Sequence, residues 1–169
     1  FLLAAVIAAT LTWHSDQRYR GEERTRVLVL AGEHASNLQN SIEHNLSATY
    51  PLAAMVRQGK GIFTNFGEVA SQMLPFYPGV AELALVPGGI IRDVVPLAGN
   101  EKAVGLNLLQ DPAQRKEAFL ARDSGKLTLA GPVNLVQGGI GMVGRLPVFL
   151  DNTEGKPSFW GFTLVMMRL

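Results

Sequence analysis

Leu28, Ala31, Ala35, Leu38, Ile42, Asn45, Thr49, Leu52 and Val56 recur in alternating steps of three and four, and seven of the nine are apolar. That is a heptad seam on a helix. From Ser15 to Thr49 there is no proline, and the only glycines are Gly21 and Gly32. The pattern predicts a helical stalk of roughly 50 Å at about 1.5 Å per residue. The seam either pairs with the same stripe on a second copy or packs on the chain's own sheet, or does each at a different height. Asn45 and Thr49 are its polar members, and a buried Asn on a seam can fix register between paired helices. Pro51 is expected to kink or end the helix, with Tyr50 biased out of the helical region.

Beyond the stalk the period changes. A short helix is expected from Asn65 to Leu74, with Asn65 as its cap. Val80–Val86 and Ile90–Val95 then read as two strands around the turn Pro87-Gly88-Gly89. Asp111-Pro112 places an N-cap and a first-turn proline before a helix through Arg122, and Gly125 supplies its left-handed stop. Three further strands are expected: Leu127–Ala130 running into Val133–Val136, Ile140–Leu150 and Phe159–Met167. Strands joined mainly by hairpins, with one helical crossover, imply an α+β fold: an antiparallel sheet of about five strands with helices on one side.

The stretch Gly138–Gly144 (GGIGMVG) has the spacing of a dinucleotide-binding fingerprint. That motif requires a helix opening inside it. Here Arg145-Leu146-Pro147-Val148-Phe149-Leu150 follows, which puts a proline in the first turns and favours strand. Apolar strand, Gly-Gly, apolar strand is a hairpin signal instead.

Composition narrows the class. The chain has 169 residues, 47% of them hydrophobic, with a net charge of +1, which suits one core and gives no general attraction for nucleic acid. It has no cysteine, hence no disulfide framework or thiol chemistry. Residues 1–13 carry no charge and end at Trp13. They read as the end of a transmembrane helix with an interfacial Trp, the alternatives being a signal-peptide core or a buried helix end.

Chemistry is sparse. His14, His34 and His44 all lie on the stalk, and none has another histidine three or four residues on. A metal pair is therefore absent, and no serine in the sheet region has a nearby histidine base. No catalytic, metal or cofactor residues are assigned. The polar groups standing among apolar neighbours in the sheet are Arg92, Asn134, Gln137 and Arg145. Each arginine either snorkels to water or clamps a carboxylate or phosphate ligand.

The segment from Tyr77 to Asp151, with Phe159-Trp160-Gly161-Phe162 after it, resembles the CHASE domain, an extracellular sensor module of membrane-bound cyclases, histidine kinases and related receptors. The resemblance covers about residues 50–167. It rests on Pro96-Leu97 with Gly99-Asn100-Glu101, Gly105 with Leu108-Leu109, Gly131-Pro132, Gln137-Gly138-Gly139 and Pro147-Val148-Phe149. It implies a PAS-like sheet flanked by a long helix, and a ligand-sensing function without catalysis in this chain.

In the cytokinin receptors of the family, an acidic adenine-binding residue corresponds to Gln114 and an apolar pocket position to Val136. Two threonines of those receptors correspond to Ala130 and Arg145. Since the acid and both threonines differ, the resemblance implies a ligand other than a cytokinin. The expected ligand-binding set is Arg145, Val136, Ala130, Gln114 and Arg92, with Arg145 foremost as a clamp for a small anion.

The expected organisation is the end of a membrane helix (1–13), a stalk helix (14–50) and the sensor domain (51–169), outside the inner membrane and paired through the stalk. The competing reading is a membrane-tethered module whose sheet binds a partner protein.

Overall fold

A computed structural model describes residues 32–169. The expected membrane segment, His14 and the seam positions Leu28 and Ala31 lie outside the described residues. The chain divides into two units at Ser41/Ile42. In the first, residues 32–41 are helical and exposed. Leu38 is 63% exposed.

The second unit opens on the end of helix α1 (residues 32–47). It continues through α2 (Thr49–Gln58) and α3 (Phe66–Met73) to the strands β1 (Glu82–Pro87) and β2 (Asp93–Val95). Helix α4 (Arg115–Ser124) precedes β3 (Thr128–Asn134), β4 (Ile140–Asp151) and β5 (Pro157–Arg168). The five strands form one sheet in the order β2-β1-β5-β4-β3, and every pairing is antiparallel. Among the described residues no helix is long and apolar enough to cross a membrane.

The α+β class and the antiparallel sheet are as the sequence implies, but the helices divide between both faces. Side chains alternate along a strand, and β5 shows the consequence. Val165 and Met167 join Leu83, Leu85, Leu146 and Val148 in a core that takes Leu52, Ala53 and Val56 of α2 with Phe66 and Ala70 of α3. Phe162, Leu164 and Met166 point the other way, into a second core with Ala84, Val86, Leu108 and Ala118 and Ala121 of α4. Near-continuous apolar runs such as Leu83–Val86 are the sequence sign of strands covered on both faces.

Pro51 does not end the helix. The break falls earlier, at Ala48, where its N–H donates to the Asn45 carbonyl at 3.3 Å and the Thr49 hydroxyl donates to the Leu46 carbonyl at 2.8 Å. Pro51 then sits in the first turn of α2, where a missing N–H costs nothing, and Tyr50 is helical. The Thr163 hydroxyl donates to the Thr49 carbonyl at 3.0 Å, tying this break to the centre of the sheet. The seam accordingly changes use along its length: Ala35 and Leu38 are exposed, while Asn45, Thr49, Leu52 and Val56 are buried.

Gly138-Gly139 forms the β3–β4 turn, as the hairpin reading requires. Both have positive φ, 97° and 84°, and Leu135 N–H closes on the Gly139 carbonyl at 3.0 Å. Gly141 and Gly144 continue into a strand, not a helix.

Candidate ligand-binding site

Between β1 and α4 the chain builds an arch across the second face of the sheet. Gly88 and Gly89, at φ 62° and 89°, turn it out of β1 before the expected second strand can pair along its full length. Ile91 then exchanges main-chain hydrogen bonds with the arch's return limb: its N–H donates to Leu106 O at 3.0 Å, and its carbonyl accepts from Gly105 N at 2.8 Å. Leu108 N–H closes on Gly89 O at 2.8 Å. The ladder with β1 is confined to Asp93–Val95, with Arg92 N–H donating to Leu85 O at 3.0 Å at its edge.

The arch stands over the sheet and leaves a cavity of ≈ 20 Å³. Its floor is Glu82, Val143, Leu164 and Met166, and its roof is Ile91, Ala103, Leu106 and Leu108. Gln114 closes one end, and Leu135, Val136 and Gln137 of the β3–β4 turn close another. That volume holds one water-sized group.

Two polar systems flank this space. At the first, Arg145 is fully buried, and Gln114 is 6% exposed. One terminal nitrogen of Arg145 donates to the Gln114 main-chain carbonyl at 3.2 Å, the other to Gln114 Oε1 at 2.8 Å. Its Nε has no protein partner. Burial pushes the guanidinium down to about 10, partly offset by the negative charge of Glu117, so it stays charged at neutral pH. Asp111 caps the turn before α4 by accepting from Ala113 N–H at 3.0 Å. Gln114 itself takes φ −123°. Helix α4 therefore starts at Arg115, later than the Asp-Pro signal implies, and Gln114 is left to face the arginine.

At the second, Glu82 is 2% exposed. Its Oε2 accepts from Gln137 Nε2 at 2.9 Å, and the same nitrogen donates to Asn100 Oδ1 at 3.2 Å. Asn100 also accepts from Arg168 at 3.2 Å and donates to Pro96 O at 2.9 Å. Burial raises the Glu82 carboxyl to about 7, against the opposing influences of Arg168 and the Gln137 hydrogen bond.

The structure thus brings three of the five expected residues together: Gln114 and Val136 at the cavity and Arg145 behind Gln114. Ala130 is buried and pairs with Val143 across β3–β4, but it does not line the space. Arg92 is elsewhere. It is half exposed, paired with Asp93 at 2.7 Å, and borders a wider, open groove of ≈ 460 Å³ with Phe63, Phe66, Leu97 and Val104.

Arg145 does not snorkel to water: it is fully buried against Gln114. Both terminal nitrogens donate to Gln114 and so fix its side chain. Glu82 was absent from the expected set, although a lone acid in the apolar run Val80–Val86 was the available signal. Among the described residues no group of His, Asp and Glu is placed to hold a metal. His44 Nε2 lies 2.8 Å from the Phe76 carbonyl, and the ring stacks on Tyr77, a packing role.

Comparison with known proteins places this architecture. No curated protein matches the sequence. Among solved structures, an extracellular ligand binding receptor from Desulfohalobium retbaense DSM5692 has a similar fold, with a TM-score of 0.65 at 14% identity over 81% of this chain. The chain spans 24% of that receptor's length, and the likeness is one of fold. The CHASE-domain family matches residues 87–169, from the end of β1 through the arch to β5. Residues 87–169 are thus the part of the chain that matches the CHASE domain, a sensor module.

Proposed function

We propose that this chain is the ligand-sensing extracytoplasmic part of a membrane-bound receptor, and that a small molecule enters between the arch and the sheet. The cavity with Glu82, Gln137 and Gln114 at its edges carries this reading: an apolar lining with a few fixed polar groups is the usual make-up of a small-molecule site. The space is narrow, so binding must lift the arch or the Leu135–Gly139 turn.

Movement there has a route to the helices. Leu164 and Met166 face the ligand side of β5, while Thr163, Val165 and Met167 alternate to the side of α2. Displacing β5 therefore shifts its contacts with the stalk end, and a second stalk paired with the first would convert the shift into a signal. Attachment to a membrane through residues 1–13 and an output domain on its far side complete the proposal.

The test is a thermal-shift screen of small molecules on the chain and on Val136→Trp, which fills the cavity mouth. A true ligand raises the melting temperature of the parent and loses that effect in the variant. Hits that stabilise both equally would point instead to the wider groove beside Arg92, and to the partner-binding module.

A further inference from the structure

We infer that the cavity takes a small protonated amine, its ammonium head on Glu82 and Gln137 and an acceptor group at its far end on Gln114. This rests on the arch cavity being the ligand site.

Hydrogen-bond polarity along the two flanking systems carries the assignment. Arginine only donates. Arg168 donating to Asn100 at 3.2 Å therefore fixes Oδ1 as the atom Asn100 presents, and its Nδ2 is spent on Pro96 O. Gln137 must then approach Asn100 with its Nε2, the atom that also reaches Glu82 Oε2. With Glu82 ionised, as it is above its raised pKa of about 7, what remains unspent at this end is all acceptor: Glu82 Oε1 and Gln137 Oε1. Arg145 applies the same constraint at the other end. It takes Gln114 Oε1 at 2.8 Å, so the Gln114 Nε2 hydrogens are the unspent donor.

Charge agrees with polarity. Glu82 is the sole ionisable side chain lining the cavity. Among the described residues no cation forms an ion pair with it: Arg168, whose charge is felt at Glu82, spends its Nη2 on Asn100 and Gly99 O. A buried carboxylate held by one hydrogen bond from Gln137 and by no ion pair is costly, and an ammonium supplies both opposite charge and three donors. A ligand carboxylate would meet Glu82 and Gln137 Oε1 as acceptor against acceptor. The hydrocarbon body has Leu108, Val143 and Leu164 to lie against. At ≈ 20 Å³ the space holds the head alone, so the body enters only as the arch moves.

The experiment titrates butylamine, butanol and butyrate, matched in size, into the isotope-labelled 169-residue chain and into Glu82→Gln. Backbone amide shifts of the cavity-lining residues are read at millimolar ligand. Butylammonium should move these amides with an affinity roughly tenfold or more above butanol, butyrate should not bind, and Glu82→Gln should erase the preference for ammonium over alcohol. If butanol or butyrate moves the same amides as tightly as butylamine, or Glu82→Gln keeps the preference, the amine assignment falls while the cavity stands. If none of the three moves them, both the cavity site and the assignment fall.

Discussion

Burial holds the Glu82 carboxyl near 7 against an ordinary 4.5, and that shift has a definite sign. The folded protein binds the proton more tightly than the unfolded chain. Glu82 therefore contributes stability that is fully present below about 4.5 and is lost as pH rises through about 7. The loss is on the order of 3 kcal/mol at most, before solvent and structural relaxation reduce it. Glu82→Gln should melt at a higher temperature than the parent at pH 8, and the difference should close towards pH 5. Thermal melts at the two pH values check this, and a parallel pair of curves would contradict it.

Arg145 tests the other end. Removing its fully buried side chain leaves both Gln114 acceptors without a donor and a void beside the sheet. Arg145→Ala should cost about 2–4 kcal/mol. Arg145→Met, which keeps the volume and loses only the hydrogen bonds, should cost less. Urea midpoints separate them, and equal costs would show that packing is not part of the role.

At the scale of elements, the hairpins, the α4 stop and the strand positions were legible because turn chemistry and alternation are local. Gly125 has the left-handed φ of 68° that its place after Arg122 implies. The arch was not legible. Ile90-Ile91 has every local mark of a strand, and it is withheld from the sheet by hydrogen bonds to Gly105 and Leu106 that no window of sequence contains. Arg145 facing Gln114 joins residues 31 apart, which likewise delayed the start of α4. The seam was legible in its spacing but not in its use, since a stripe that pairs with a second helix and one that packs on a sheet have nearly the same period. Its exposed part makes the pairing prediction: Leu38→Cys should crosslink copies in membranes faster than His34→Cys, and equal rates would remove the seam.

Gly161 is a second element-scale test. It lies in β5 at φ 152°, and a Cβ there would overlap the Val86 carbonyl across the β1–β5 pair. Gly161→Ala should therefore destabilise by about 2–3 kcal/mol, measured by denaturant unfolding.

At the scale of the molecule, one sheet separates two tasks. One face buries the end of the stalk against Leu146, Val148, Val165 and Met167. The other carries the arch, Gln114 and Glu82 over Leu164 and Met166. Under the proposed function, a ligand that opens the arch displaces the strand whose opposite side holds α2. Amide hydrogen exchange, with and without a molecule found by thermal shift, tests this most directly. Exchange should slow at Ile91, Gly105, Leu106 and Leu108 of the arch and at Leu135 and Gly138 of the β3–β4 turn. Protection confined to Phe63–Gly67 and the groove beside Arg92, with the arch unchanged, would contradict it.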